Sequence, residues 1–173
     1  DVMFDIFKKF ENDIEIRNEY GNYCLLTMHR AENTNVVSLQ RRIKQISGID
    51  MKMIFPIHPR TENLILKNSI ILPKNIEIIK PVGWFDMINL IKNSRFVITD
   101  SGGLQKEALW CKKHCITLRN ETEWIETLEQ RVNRLVIENS DFEFKFDNNP
   151  DFSNPYGEGD SSSKIIKTLV NYF

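Results

Sequence analysis

The chain has 173 residues, with 23 Lys and Arg against 24 Asp and Glu and a formal net charge of −1. This length suits one domain, or one lobe of a larger enzyme, with a real hydrophobic core. The lack of a basic excess argues against nucleic acid as a partner. The longest apolar runs fall far short of the roughly 20 residues of a membrane span. We therefore expect a soluble, cytoplasmic protein that binds neither nucleic acid nor membrane.

The first residue and the cysteines give two further expectations. The chain starts at Asp1 rather than Met, so we expect a processed chain or a part of something longer. Cys24, Cys111 and Cys115 are an odd set in a chain that needs no disulfides, so reduced thiols are expected. His114 lies between the last two cysteines, but the paired ligand clusters of a closed zinc site are missing. Core cysteines are the favoured interpretation, and no metal is expected.

Apolar residues at helical spacing predict a helix within residues 1–18. We expect this helix to pack on a core and to lead in from another segment. We therefore divide the chain into a linking helix, 1–19, and a domain, 20–173. Short apolar runs predict strands at 23–27, 51–57, 76–79, 95–99 and 114–118. The intervening patterns predict helices at 36–46, 61–67, 85–92, 104–111 and 123–130, then a surface loop over 139–160 and a closing helix at 161–173. Strands that alternate with helices indicate a doubly wound α/β fold with a parallel sheet.

Ligands of open parallel sheets bind beyond the carboxyl ends of the strands, so the residues after each predicted strand are the candidates for chemistry. The clearest segment is Ser101-Gly102-Gly103, where a strand runs into a helix start. Unpaired backbone N–H groups and the helix dipole favour an anion there, and glycines allow a phosphate to approach. Glu107, under two turns further on, could accept both hydroxyls of a ribose. A plain serine N-cap explains the same segment equally well.

A protease nucleophile and base-stacking tryptophans are two further interpretations of this sequence, and both are less favoured. Asp100-Ser101-Gly102-Gly103 is similar to the nucleophile segment of trypsin-like proteases, but those enzymes are β-barrels with the base histidine earlier in the chain. The strand-to-helix context excludes them. Trp84, Trp110 and Trp124 could stack on bases, but core packing is favoured for a lone tryptophan.

Four motifs occur in order: Thr27-Met-His29-Arg-Ala-Glu-Asn33, Pro56-Ile-His58-Pro59, Thr99-Asp-Ser-Gly-Gly-Leu-Gln-Lys-Glu107 and Leu118-Arg-Asn-Glu-Thr-Glu123. Together they resemble the C-terminal half of the non-hydrolysing UDP-N-acetylglucosamine 2-epimerases, and Asn154-Pro-Tyr-Gly157 resembles the family's closing segment. The resemblance implies the GT-B architecture, in which two Rossmann-like lobes hold the nucleotide-sugar between them. This chain would be the second lobe and the segment that crosses back.

The resemblance also implies roles. Ser101, Gly102 and Gly103 would hold the diphosphate, Glu107 the ribose, and His29 would sit beside the departing UDP. His58 would lie near the nucleotide and a subsite where some members bind an activating UDP-sugar. The full set implied at the UDP site is His29, Arg30, Glu32, Asn33, His58, Ser101, Gly102, Gly103 and Glu107, with Met87 and Arg119 as further candidates. The family reaction is elimination of UDP and readdition with inverted C2, without metal or redox cofactor, and the implied partners are a UDP-sugar, the N-terminal lobe and a second copy in a homodimer.

The sequence departs from the family pattern at Trp124-Ile125, where many members have Arg-Pro. This variant resembles relatives that act on other UDP-2-acetamido sugars, including 2,3-diacetamido uronates. Arg119, just before, could pair with a substrate carboxylate or with a nearby glutamate. The carboxylates that the family uses around C2 belong to the first lobe, so this chain alone should not turn over. A GT-B glycosyltransferase lobe, a hydrolysing relative and a non-catalytic nucleotide-binding module remain alternatives.

Overall fold

The computed structural model describes residues 1–140 and 145–172 and contains one parallel sheet. Its strands are β1 (Tyr23–Thr27), β2 (Lys52–Pro56), β3 (Ile76–Ile79), β4 (Val97–Thr99), β5 (Cys115–Thr117) and β6 (Asn133–Leu135). They are ordered β3-β2-β1-β4-β5-β6, and every neighbouring pair is parallel. This order is that of the doubly wound, Rossmann-like fold, which confirms the predicted fold class.

Helices cover both faces of the sheet. They are α1 (Val2–Phe10), α2 (Val36–Ile46), α3 (Pro59–Lys67), α4 (Trp84–Asn93), α5 (Gly102–Trp110), α6 (Ile125–Glu129) and α7 (Ser161–Val170). A 3-10 turn, Ala31–Asn33, follows β1.

All five residues of β1 are buried, as expected of a central parallel strand. Successive side chains point to opposite faces, so Tyr23 and Leu25 join one core with residues of α1, α4 and α5. Cys24 and Leu26 join a second core with residues of α2 and α3. Cys24 and Cys115 are buried, which confirms the interpretation of these two as core cysteines.

The register of the sheet brings two loops together. β1 and β4 are paired with Thr27 opposite Thr99, and the two hydroxyl oxygens are 2.6 Å apart. Both strands therefore end at the same level, and the segments that follow, beginning near His29 and Asp100, lie side by side. The site depends on this adjacency.

The predicted helix within residues 1–18 is wrong beyond Phe10, where α1 ends. The apolar spacing correctly indicated burial, because Phe7 and Ile14 both lie in the core. After α1 the backbone is held by α4 instead: the Arg17 N–H donates to Asn89 Oδ1 at 3.0 Å. The proposed linking helix is therefore shorter than residues 1–19, and it packs on the same core as the sheet.

The strand β6 was not predicted. It has only three residues, two of them polar, so it carries no apolar run for a sequence pattern to detect. The tertiary structure places it by pairing with β5, and Asn133 Oδ1 accepts a hydrogen bond from the Thr117 hydroxyl at 2.8 Å. The predicted ranges of β1, β3 and α2 are confirmed, and the other elements differ at their ends by a few residues.

Residues 141–144, within the predicted surface loop, and Phe173, at the end of the predicted closing helix, lie outside the described residues. The described part of the 139–160 loop contains neither helix nor strand. None of the described helices is long and apolar enough to cross a membrane.

Candidate functional site

The strand order reverses between β1 and β4, so the loops after these two strands diverge and leave a crevice at the carboxyl edge of the sheet. Two cavities occupy it. The larger, here called the glycine cavity, has a volume of about 420 Å³ and is lined by Met3, His29, Arg30, Ser101, Gly102, Gly103, Lys106, Glu123 and Trp124. The smaller, the histidine cavity, has about 160 Å³ and is lined by Thr27, His29, Pro56, His58, Pro81, Val82, Met87 and Leu104. His29 lines both cavities.

Asp100 orients the loop that carries His29 and Arg30. Its fully buried carboxylate accepts hydrogen bonds from the backbone N–H groups of His29, at 3.0 and 3.1 Å, and of Arg30, at 2.9 Å. A carboxylate that accepts several N–H groups is a strong, charge-assisted anchor. The side chains that line the cavities therefore start from a fixed backbone.

Asn33 extends this anchor into the core. Its amide donates to Asp100 Oδ2 at 3.0 Å and to the Leu118 carbonyl at 2.9 Å, and its Oδ1 accepts from Arg42 Nε at 3.1 Å. Arg42 in turn is almost fully buried and donates to the Val136 carbonyl. Asn33 thus has structural contacts within the protein, and neither Asn33 nor the exposed Glu32 lines either of these two cavities.

The start of α5 forms one wall of the glycine cavity. Ser101 caps the helix, with its hydroxyl accepting from the Leu104 N–H at 3.5 Å, and its own N–H donates to Thr99 Oγ1 at 2.9 Å. The N–H groups of Gly102 and Gly103 belong to the first turn, which has no acceptors within the helix. A Cβ on Gly102 would lie 3.3 Å from Trp124 Nε1 and 3.6 Å from Arg30 Nη2. Backbone, not side chain, therefore faces the cavity here, as a phosphate site requires.

Cationic side chains surround this helix start. Arg30 is about a third exposed, and its Nη2 and Nη1 lie 3.7 Å from Glu123 Oε1 and 3.9 Å from Glu32 Oε1. Such long, solvent-exposed ion pairs contribute little, so the guanidinium is free to turn toward an anion. Lys106 is buried, and its Nζ is 2.5 Å from Asp1 Oδ2; burial lowers the pKa of this amine.

Arg119 is already paired within the protein. Its side chain is 4% exposed and binds Glu123 through two hydrogen bonds, Nη1 to Oε2 at 2.6 Å and Nη2 to Oε1 at 3.0 Å. This hydrogen bonding lowers the pKa of Glu123 to about 2. The sequence left a substrate carboxylate and a nearby glutamate as possible partners of Arg119, and in the structure Arg119 pairs with the glutamate.

Glu107 lies behind the cavities rather than in their lining. It is 4% exposed, and its Oε1 accepts the indole N–H of Trp84 at 2.9 Å. Burial raises the pKa of its carboxyl, against the opposing effects of Trp84 and Lys106.

The histidine cavity holds the two histidines of the predicted site together. The His29 and His58 rings have centroids 5.8 Å apart and are tilted by 31°. His58 caps the N-terminus of α3, and its Nδ1 accepts the Arg60 N–H at 3.2 Å. Met87 reaches the same cavity from α4 and gives it an apolar wall suited to a planar ring.

Four residues of the glycine cavity were not among the predicted site residues. They are Met3, Lys106, Glu123 and Trp124. Lys106 and the Glu123-Trp124 pair occur in or next to two quoted motifs, so their positions after a strand were a usable signal. Met3 comes from α1, and no sequence pattern connects it with the sheet edge. Among the described residues, no group of three or more His, Cys, Asp or Glu could hold a metal ion.

Comparison with known proteins shows which family the chain resembles. The model of the UDP-N-acetylglucosamine 2-epimerase family matches residues 1–170. A UDP-N-acetylglucosamine 2-epimerase homolog of Methanococcus maripaludis is 38% identical over 99% of this chain, which covers 53% of that protein. The UDP-2,3-diacetamido-2,3-dideoxy-D-glucuronate 2-epimerase of Pseudomonas aeruginosa is 35% identical over 86% of the chain, which covers 44% of it. The chain thus spans about half the length of the curated relatives it matches.

Solved structures agree with the sequence comparison. The UDP-GlcNAc 2-epimerase of Methanocaldococcus jannaschii, determined in complex with UDP-GlcNAc and UDP, is 32% identical and superposes with a TM-score of 0.74. The superposition covers 98% of this chain and 51% of that one. The fold described above is therefore one Rossmann-like lobe of the GT-B architecture.

Proposed function

The chain belongs to the UDP-N-acetylglucosamine 2-epimerase family, and we propose that it is the C-terminal, nucleotide-binding lobe of an enzyme that interconverts UDP-N-acetylglucosamine and UDP-N-acetylmannosamine. The observation that carries the proposal is the glycine cavity, where the backbone of Gly102 and Gly103, at the start of α5, faces His29 and Arg30. A helix start with glycines and adjacent cations fits a diphosphate.

The nucleotide would extend from this point along the sheet edge. The diphosphate lies on Ser101, Gly102 and Gly103, with Arg30 turned toward its oxygens. The uracil enters the histidine cavity against Met87. Glu107 accepts the ribose hydroxyls, and His58 lies beside the nucleotide.

The reaction follows from where charge develops. Loss of the C2 proton and cleavage of the C1–O bond release UDP and leave a glycal, and readdition of UDP at C1 with protonation of the opposite C2 face gives the epimer. The C2 proton is weakly acidic, so stabilising the charge on the departing diphosphate lowers the barrier. His29, between the two cavities, is the side chain proposed for that task. The carboxylates that exchange the C2 proton would come from the other lobe.

A second substrate is favoured by one observation. The Pseudomonas relative named for a 2,3-diacetamido glucuronate is 35% identical to this chain. However, both Nη atoms of Arg119 donate to Glu123, and only its buried Nε lacks a partner, so Arg119 has no free pair of donors for a uronate carboxylate. This pairing favours UDP-N-acetylglucosamine, whose sugar is uncharged, as the substrate.

The organisation of the whole enzyme is part of the proposal. Residues 1–19 would lead in from an N-terminal lobe, and 20–173 would form the UDP-binding domain. The full enzyme would be a cytoplasmic homodimer.

Calorimetry on the chain tests the nucleotide site. We expect weak binding of UDP, weaker binding of UMP and the weakest of uridine, because the diphosphate provides the anion contacts. Equal affinity for uridine and UDP would overturn the assignment. Incubating a full-length enzyme that contains this chain with UDP-N-acetylglucosamine would separate the functions: a C2 epimer supports the proposal, whereas free sugar or transfer to an acceptor supports a hydrolase or a glycosyltransferase.

A further inference from the structure

The three tryptophans differ in the partners of their indole N–H groups. Trp84 Nε1 donates to Glu107 Oε1 at 2.9 Å, and Trp110 Nε1 donates to Asn154 Oδ1 at 3.1 Å. Trp124 Nε1 is shielded from solvent, yet it has no acceptor among the described residues. Buried polar groups nearly always have a hydrogen-bond partner, so a donor of this kind calls for an explanation.

The position of this N–H group points to a ligand. Trp124 lines the glycine cavity, and its Nε1 lies 3.3 Å from the point that a Cβ of Gly102 would occupy. The indole nitrogen therefore lies against the backbone at the start of α5, in the wall of the glycine cavity, where it is shielded from solvent. A diphosphate oxygen seated against Gly102 would reach it after a small movement of the indole ring.

The ring is held in this place from several sides. The Lys106 ammonium lies 4.0 Å from the centroid of the Trp124 ring, and the Tyr156 ring meets it edge-on at 5.7 Å. The Trp124 backbone is fixed as well, because its N–H donates to Thr122 Oγ1 and its carbonyl accepts from Thr127 Oγ1. A cation over the ring also draws electron density from the indole, which makes its N–H a better donor.

We propose that the indole N–H of Trp124 donates a hydrogen bond to a diphosphate oxygen of the bound nucleotide-sugar, and that Lys106 positions the ring for it. This inference rests on the proposed function and adds a neutral donor to the anion site. The phosphate, rather than the sugar, is the acceptor because Nε1 borders Gly102 at the start of the helix that receives the diphosphate. A preorganised donor in a shielded position loses little on binding.

The test is a titration of the ¹⁵N-labelled chain with UDP and with uridine, followed through its three indole N–H signals and assigned with single Trp→Phe variants. We expect the Trp124 signal to move downfield with UDP and to stay in place with uridine. Trp124→Phe keeps an aromatic ring over Lys106 and removes the donor. It should weaken UDP binding about tenfold, as expected for a hydrogen bond to a charged group, while uridine binding and the melting temperature stay unchanged.

Trp110→Phe is the matched control, since it also removes an indole N–H but lies outside both cavities; UDP affinity should stay within about twofold. If UDP binds but the Trp124 signal is unmoved and Trp124→Phe binds it normally, this inference is wrong and the proposed function stands. If Trp124→Phe weakens a UDP-sugar but not UDP, the acceptor is on the sugar and the diphosphate assignment fails. If the unaltered chain does not bind UDP at all, the proposed function fails first.

Discussion

The indole N–H of Trp84, the first residue of α4, donates to the buried carboxylate of Glu107 on α5 at 2.9 Å. Burial raises the pKa of Glu107 in the folded protein above its ordinary value. A carboxyl with a raised pKa in the folded state opposes folding increasingly as the pH rises through the unfolded value toward the folded one. Glu107 therefore reduces stability at neutral pH.

Glu107→Gln should accordingly raise the free energy of unfolding at pH 7, since it removes the buried charge while the amide oxygen still accepts the Trp84 N–H. The gain should disappear below about pH 4, where the carboxyl is protonated in both states. Urea unfolding across this pH range measures it. If Glu107→Gln is less stable than the unaltered chain at pH 7, the charged form is the stabilising one. In the same variant, UDP should bind more weakly if Glu107 accepts the ribose hydroxyls.

Asp100→Asn should loosen the loop that carries His29 and Arg30. An amide presents one acceptor and two donors where the carboxylate accepts three N–H groups, so the variant should lose about 1–3 kcal/mol of stability. UDP affinity should fall as well. Asp50→Asn, at an exposed position, should change stability by less than about 0.5 kcal/mol. Equal effects at both positions would show that the anchor is unimportant.

Gly102→Ala should weaken UDP binding about tenfold or more, because the new methyl group would stand where the diphosphate meets the backbone. Its effect on thermal stability should be small, since alanine suits a helix. Gly48 is exposed and has no atom within 4 Å of a built Cβ, so Gly48→Ala is the matched control. Calorimetry with UDP compares the two variants. Unchanged UDP affinity in Gly102→Ala would show that Gly102 does not contact the diphosphate.

His29→Asn, in a full-length enzyme that contains this chain, should reduce kcat by about 10² or more while UDP binding changes only a few-fold. The help of His29 is concentrated where charge develops on the leaving diphosphate, so turnover suffers more than ground-state binding. Steady-state kinetics and calorimetry on the same preparation provide both values. A kcat within about threefold of the parent would make His29 structural.

Glu123→Gln removes the ion pair with Arg119, so it should lower the free energy of unfolding by an amount that depends on pH. The pKa of Glu123 is lowered to about 2, chiefly by the hydrogen bond from Arg119. A lowered carboxyl pKa stabilises the fold fully above the unfolded value of about 4.5 and progressively less as the pH falls toward 2. The difference between Glu123→Gln and the unaltered chain should follow this course and stay at or below about 1 kcal/mol, because Glu123 is half exposed. A difference independent of pH would contradict it.

The sequence by itself determined the fold class and which loops meet at the proposed anion site. Alternating apolar runs specify parallel strands and helices because parallel neighbours need crossovers, and such a sheet collects the residues after its strands at one edge. That logic predicted that His29, Arg30, His58 and the Ser101–Gly103 segment meet at one edge, and the structure places them in two adjoining cavities. Met87, which lines the second cavity, was suggested only by the family resemblance.

Only the tertiary structure decided the partners of the side chains. Asn33 and Arg119 look like ligand-binding residues after a strand. The structure pairs Asn33 with the distant Asp100 and with Arg42, and both Nη atoms of Arg119 with Glu123. Met3 reaches the glycine cavity because α1 packs on the core beside α5, and β6 exists because β5 offers it a free edge. Sequence periodicity indicates which side chains point into the core. It does not indicate which group from elsewhere in the chain each of them meets there, because tertiary packing decides that.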